Sequence, residues 1–168
     1  MRRILATALL ASTVAACGQS GSGPQSGGET STTTEAAAPA APEMSDADKQ
    51  ALLASYPAPY NTADLANGEA KFGLCRSCHT ITPGGANMTG PNLHGIFGKP
   101  AAQNASFRYS DALKTSGIVW DGSHLDQWLA KPMTYLPGTK MSFAGIKDAK
   151  DRTDLIAFLM VETGHKPQ

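Results

Sequence analysis

Five consecutive residues, Cys75-Arg76-Ser77-Cys78-His79, constrain this 168-residue chain more than any other feature. On a helical turn, positions i, i+3 and i+4 share one face. Two thiols and an imidazole placed this way can bond covalently to the two vinyl groups of a haem and ligate its iron from one side. This is the c-type haem attachment pattern. A Cys-x-x-Cys pair also serves as a redox dithiol or as half of a zinc site. A zinc ribbon needs a second pair, however, and the chain's one other cysteine is Cys17. A redox dithiol of the thioredoxin kind sits between a strand and a helix, and strand patterning is scarce here. The adjacent histidine favours the haem. The spacing leaves its use open: one protein ligand makes an open site for binding or catalysis, two make an electron carrier.

The N-terminus reads as an export signal. Met1-Arg2-Arg3 is a positive start, and residues 4–16 form an apolar run too short to span a bilayer comfortably. The run ends in Val14-Ala15-Ala16-Cys17, a sequence like the bacterial lipobox, where cleavage leaves a lipidated cysteine. Residues 1–16 are therefore expected to be a signal peptide and Cys17 the lipidation site, with an uncleaved signal anchor as the second choice. Both place the chain on the periplasmic side of a bacterial membrane. Residues 18–44 are rich in Gly, Ser, Thr, Ala and Pro. So few large apolar groups cannot offset the entropy of ordering, so 17–44 reads as a lipidated cysteine followed by a disordered tether. Its r.m.s. span would be roughly 30 Å.

Residues 45–60 are expected to form a short helix, started by Ser45-Asp46-Ala47-Asp48 and broken by a Pro-rich turn. Residues 61–168 then form one small domain. The chain carries 14 basic and 14 acidic residues, a balance that argues against a nucleic-acid partner. Asn61 or Thr62 can cap a helix carrying Leu65, Gly68 and Phe72. A glycine there costs about 1 kcal/mol relative to alanine and points to close approach by another helix. The apolar stripe Leu155, Phe158 and Leu159 marks that partner, started by Asp148 or Asp151 and stopped by Gly164. A third helix over 123–131 opens with Ser123 and Asp126 in a capping-box-like arrangement and ends before Pro132. A haem would pin the long connections between these helices.

A second axial ligand could be a thioether or an imidazole. For His94, His124 and His165 a structural or surface role is the better reading. Met1 leaves with the signal, Met44 lies in the linker, Met160 sits in the apolar last helix and Met88 is too near the attachment turn. Met133 and Met141 remain, with Met141 favoured by its turn-rich loop, Pro137-Gly138-Thr139-Lys140-Met141.

Several separated motifs occur in a fixed order: Gly68-Glu69-Ala70-Lys71-Phe72, the attachment turn, Gly90-Pro91-Asn92-Leu93-His94-Gly95, Trp120, the Met141 loop and Asp154-Leu155-Ile156-Ala157-Phe158-Leu159. Over residues 62–162 they resemble a class I cytochrome c of the mitochondrial-like bacterial group. The resemblance implies an all-α class I cytochrome c fold, its helices and long loops wrapped around one covalent haem c, with the first and last helices crossing at Gly68 and Phe158. It implies attachment through Cys75 and Cys78 and axial ligation by His79 and Met141. The Pro91 carbonyl would accept a hydrogen bond from His79, Tyr109 and Trp120 would donate to one haem propionate, and Thr139 would lie beside the other. Phe143 matches the aromatic at the exposed haem edge. Three positions depart from the family's usual pattern: Trp128 where many relatives have a tyrosine near the methionine sulfur, Leu113 at a commonly polar site, and Lys99 in place of an arginine.

The resemblance further implies a monomeric one-electron carrier. It would work between a quinol:cytochrome c oxidoreductase and a terminal oxidase, or a photosynthetic reaction centre, through transient contacts and held to membrane lipid through Cys17. Arg76, Lys71, Lys131, Lys140 and Lys147 are candidates for steering such partners. The competing expectation is a haem enzyme or gas sensor with an open iron; a third is a fixed redox subunit of a larger complex.

Overall fold

The computed structural model describes residues 44–167, so the expected signal segment, the expected lipidation site Cys17 and the low-complexity stretch before Met44 lie outside the described residues. Helix α1 covers Asp46–Ala54, and Ser45 Oγ accepts the Asp48 N–H at 3.2 Å. This hydrogen bond satisfies one of the amide donors that a helix start leaves without partners. Leu53 and Tyr56 are buried, the Tyr56 hydroxyl donates to the His165 carbonyl at 2.8 Å, and the two rings stack at 5.7 Å. His165 also lies 5.0 Å from the Phe97 ring, which makes it a packing group. Lys49 pairs with Glu162 at 2.6 Å, so α1 is fastened at both ends to the C-terminal part of the chain.

A single 3-10 turn at Tyr60–Thr62 precedes α2, Leu65–Phe72. Its cap is Asp64, not Asn61 or Thr62: Asp64 Oδ1 accepts from the amides of Ala66 at 2.9 Å and Asn67 at 3.0 Å. A cap needs extended backbone, which Asp64 has, whereas residues 61 and 62 are already coiled in the 3-10 turn. Two four-residue helices follow from the same local chemistry. Ser110 caps α3, Asp111–Lys114, and Pro132 opens α5, Pro132–Tyr135, with its fixed φ at a position where no N–H is needed. Between them lies α4, Gly122–Ala130, capped by Asp121, which accepts the His124 amide at 2.7 Å. The expected Ser123/Asp126 capping box is absent because Asp126 instead pairs with Arg152 at 2.7 Å. Helix α6, Ala149–Glu162, is capped by Asp148 and ends at Gly164, whose φ of +78° only glycine takes without strain. The described residues contain no strand, just one isolated bridge between Pro100 and Val119.

The α2–α6 crossing is the centre of the fold. A Cβ at Gly68 would fall on the Asp154 carbonyl oxygen and lie 2.7 Å from Phe158 Cβ, so no larger residue permits this approach. One turn on, the Phe72 and Phe158 rings meet at 5.7 Å. Residues 154–161 of α6 are all buried because α1, α2 and α4 each lie against that helix. Asp154, 1% exposed, is the one charged group in that run. It accepts from Lys150 Nζ at 2.7 Å, Asn67 Nδ2 at 2.8 Å and the Asp64 amide at 2.9 Å. Two of these donors, Asn67 and the Asp64 amide, tie the start of α2 to α6, while Lys150 lies on α6 itself.

Gly68→Val is expected to lower the unfolding free energy by about 1–3 kcal/mol, the usual cost of overpacking, visible as a lower denaturant midpoint. Burial raises the Asp154 pKa, but the bonds from Lys150, Asn67 and the Asp64 amide outweigh it and hold the carboxyl below its ordinary value. A depressed folded-state pKa contributes stability above the unfolded value near 4 and loses it as pH falls through the folded one. Stability should therefore decline below about pH 4, and Asp154→Asn should flatten that acid limb while lowering stability at pH 7.

Candidate haem site

Helix α2 runs directly into the attachment turn. The amides of Cys75 and Arg76 bond to the Phe72 carbonyl at 2.8 and 3.2 Å, and those of Cys78 and His79 to the Cys75 carbonyl at 3.0 and 2.9 Å. These i+3 and i+4 bonds put Cys75, Cys78 and His79 on one side of a continued helical coil. Both thiols are free of disulfides and partly buried. Burial, and then the neighbouring Cys78, pushes the Cys75 thiol up to about 11, so it is protonated at neutral pH. A zinc ligand is a thiolate, and among the described residues no three His, Cys, Asp or Glu side chains converge as a metal cage.

His79 Nδ1 lies 2.7 Å from the Pro91 carbonyl oxygen. A carbonyl only accepts, so this contact places the ring hydrogen on Nδ1 and leaves the Nε2 lone pair available. Burial lowers the His79 pKa and the Pro91 bond raises it; the net is downward, toward the neutral imidazole a metal requires. Gly90 allows this arrangement: a Cβ there would strike the His79 ring, 2.7 Å from Nδ1. The Gly90 amide in turn donates to the Cys78 carbonyl at 2.9 Å.

Sequence reasoning missed the amide network that holds this loop. Asn92 Nδ2 donates to Thr80 Oγ1 at 2.7 Å and to the Thr82 carbonyl at 3.0 Å, and its Oδ1 accepts the His94 amide at 2.8 Å. Asn87 Oδ1 accepts the Asn92 amide at 3.0 Å and Asn104 Nδ2 at 2.9 Å, while Asn87 Nδ2 donates to Ser106 Oγ at 2.9 Å. Ser106 Oγ completes the ring by donating to Asn104 Oδ1 at 2.7 Å. The one signal in the chain was the recurrence of asparagine among turn residues, which marks side-chain-to-backbone bonding but not its partners.

The remaining predicted site residues lie on the other loops and on α4. Met141 is half-buried against the core, and its amide donates to Thr139 Oγ1 at 3.3 Å. Met133, Met88 and Met44 are 56%, 47% and 39% exposed and Met160 is buried in α6, so among the described residues Met141 is the methionine that is neither surface nor helix packing. Trp128 is buried in α4 and meets Trp120 edge-on at 5.4 Å and Tyr135 at 6.3 Å. Tyr109 is half-buried against Phe107, and burial raises its phenol while a backbone bond at Asn104 partly offsets that. Phe143 is half-buried beside the core. Leu113 is buried, and Lys99 is exposed with its carbonyl accepting the Trp120 amide at 2.9 Å.

The donor set fits a c-type haem: two unbridged thiols and an oriented imidazole on one turn, a half-buried thioether on a separate loop, and partly exposed Tyr109, Trp120, Leu136 and Phe143 along the apolar core. The Cytochrome c family model matches residues 65–161, more than half of the chain. Cytochrome c of Arabidopsis thaliana is 45% identical over 108 residues, covering 60% of this chain and 96% of the relative. Cytochrome c2 of Blastochloris viridis is 44% identical over 108 residues, covering 64% and 85%. Among solved structures, cytochrome cH from Methylobacterium extorquens aligns with a TM-score of 0.54 at 45% identity, covering 58% of this chain and 97% of that one. The aligned length covers 85–97% of these relatives' own length, and α1 lies outside the residues that the family model matches. With the attachment turn on α2 and α2 crossed on α6, the chain belongs to the cytochrome c family: a class I cytochrome c fold holding one haem c through Cys75 and Cys78, an electron carrier and not an enzyme.

Proposed function

We propose that this carrier uses His79 and Met141 as axial ligands and passes single electrons between membrane complexes while tethered to the membrane. The observation that carries the ligand assignment is the His79–Pro91 bond of 2.7 Å, which leaves Nε2 as the ring's free lone pair. When bound, the haem supplies a one-electron couple. His79 presents a neutral imidazole whose basicity the Pro91 carbonyl raises. Met141 presents a soft thioether from a loop steadied by Thr139 Oγ1. This pairing favours the ferrous state and a high reduction potential. With His79 and Met141 both holding the iron, no position would remain for peroxide or a gas.

Tyr109 and Trp120 would hold one propionate and Thr139 would lie near the other, with Phe143 at the exposed edge and Trp128 near the methionine sulfur; the half-burial of Tyr109, Trp120 and Phe143 beside the core supports this reading. Trp128 packs edge-on between Trp120 and Tyr135, an arrangement that stiffens the distal wall through shape instead of a phenol hydroxyl.

The donor is a quinol:cytochrome c oxidoreductase and the acceptor a terminal oxidase or a photosynthetic reaction centre. Such contacts must be small and short-lived. Charge steering is modest, since Lys71 pairs with Asp151 at 2.7 Å and Arg76 with Glu69 at 3.2 Å. Lys131, Lys140 and Lys147 are exposed and serve as the steering cations. A lipid on Cys17 and the low-complexity segment after it keep the monomer on the periplasmic face and raise its effective concentration near its partners.

The far-red sulfur-to-iron charge-transfer band of the oxidised protein tests the ligand set. Wild type should show it and Met141→Ala should lose it; an unchanged spectrum in the variant sinks the assignment. Lipid labelling of whole cells should mark wild type but not Cys17→Ser, and an unlabelled wild-type chain excludes the lipoprotein.

A further inference from the structure

The Pro91 carbonyl and the Asn92 amide belong to one planar peptide group, and in the trans form they point in opposite directions. Both ends of this group are engaged. Its oxygen lies 2.7 Å from His79 Nδ1, and its N–H donates to Asn87 Oδ1 at 3.0 Å. The series His79 N–H, Pro91 C=O, Asn92 N–H and Asn87 C=O is a short hydrogen-bonded chain through a conjugated amide. Withdrawing the amide hydrogen toward Asn87 increases the negative charge on the Pro91 oxygen, which strengthens its bond to the imidazole.

Asn87 is well suited to set that bond. Its own orientation is fixed by Asn104 Nδ2, which donates to the same Oδ1, and by Ser106 Oγ, which accepts from Nδ2, at 2.9 Å each. The Asn92 side chain takes no part, because Thr80, Thr82 and the His94 amide already engage it. The tilt and polarity of the peptide facing His79 thus depend on one side chain, which touches neither the histidine nor the attachment cysteines.

We propose that Asn87 is a positioning residue that sets the basicity of His79, and with it the reduction potential, through the Pro91–Asn92 peptide group. A stronger bond at Nδ1 makes the imidazole more electron-rich and favours ferric iron, so loss of the Asn87 acceptor raises the potential. This inference rests on His79 being the proximal ligand.

The test uses the full-length haem-loaded protein, with the His79 Nδ1–H exchange rate followed by NMR and the potential by redox titration. Asn87→Leu, which keeps the bulk and removes the acceptor, should speed exchange by about tenfold, roughly the loss of one hydrogen bond, and raise the potential. Asn104→Leu removes a support of Asn87 but leaves the Asn92 bond; it should lower stability and leave both readouts near wild type. Asn87→Asp keeps an acceptor facing the Asn92 and Asn104 donors, and should slow exchange below wild type; this arm decides the matter if the leucine variant does not accumulate. Wild-type exchange and potential in Asn87→Leu, equal shifts in both leucine variants, or faster exchange in Asn87→Asp would each overturn the proposal. An iron without imidazole ligation in the wild type would overturn the ligand assignment as well, and the spectrum separates that failure from the others.

Discussion

Gly68 has no side chain, and that lets α6 bring the Asp154 carbonyl and Phe158 against the backbone of α2. Everything that matters for the cofactor hangs from this crossing. The attachment turn is the continuation of α2, so the position of Cys75, Cys78 and His79 is set by how tightly α2 is held. Asp154 reinforces the hold with two hydrogen bonds from the start of α2, and Lys150 on α6 engages the same carboxylate. A buried carboxylate is costly unless its lone pairs are engaged, and here each donor comes from the elements being joined.

A second level of organisation lies in the loops. Long irregular segments need somewhere for their backbone amides and carbonyls to bond. Between residues 80 and 106 the asparagines provide those bonds: Asn92 folds the loop on itself, and Asn87 ties it to Asn104 and Ser106. His79 therefore sits at the end of an amide network, not in an isolated bond. Helix α1 works differently, through burial of Leu53 and Tyr56 and the stacking of Tyr56 on His165.

Local signals in the chain were legible where the physics is local. Ser45, Asp148 and Gly164 mark helix ends through bonds to their own neighbours or through φ, and the α2 and α6 stripes follow from helical spacing. Capping at α2 and α4 was misread by a few residues. Asn61, Thr62 and Ser123 are acceptable caps by type, but Asp64 and Asp121 have the extended backbone, and Asp126 is drawn away by Arg152 on another helix. The short helices α3 and α5 carry too few residues for periodicity to register. Their existence depends on a cap at Ser110 and a proline at 132.

The cofactor was determined by sequence alone, because Cys-x-x-Cys-His places three groups on one turn whatever surrounds it. So was the helix pair, since a glycine in an apolar helical stripe has little use except close approach. Tertiary structure decided what spacing could not: that His79 gives its Nδ1 hydrogen to Pro91, that Met141 is sheltered while Met133 and Met88 are exposed, and that Asn87 stands behind the Pro91 peptide. Each of these depends on residues brought together from separate loops. Hydrogen-bond partners and burial are properties of that assembly, whereas the attachment turn is a property of five adjacent residues.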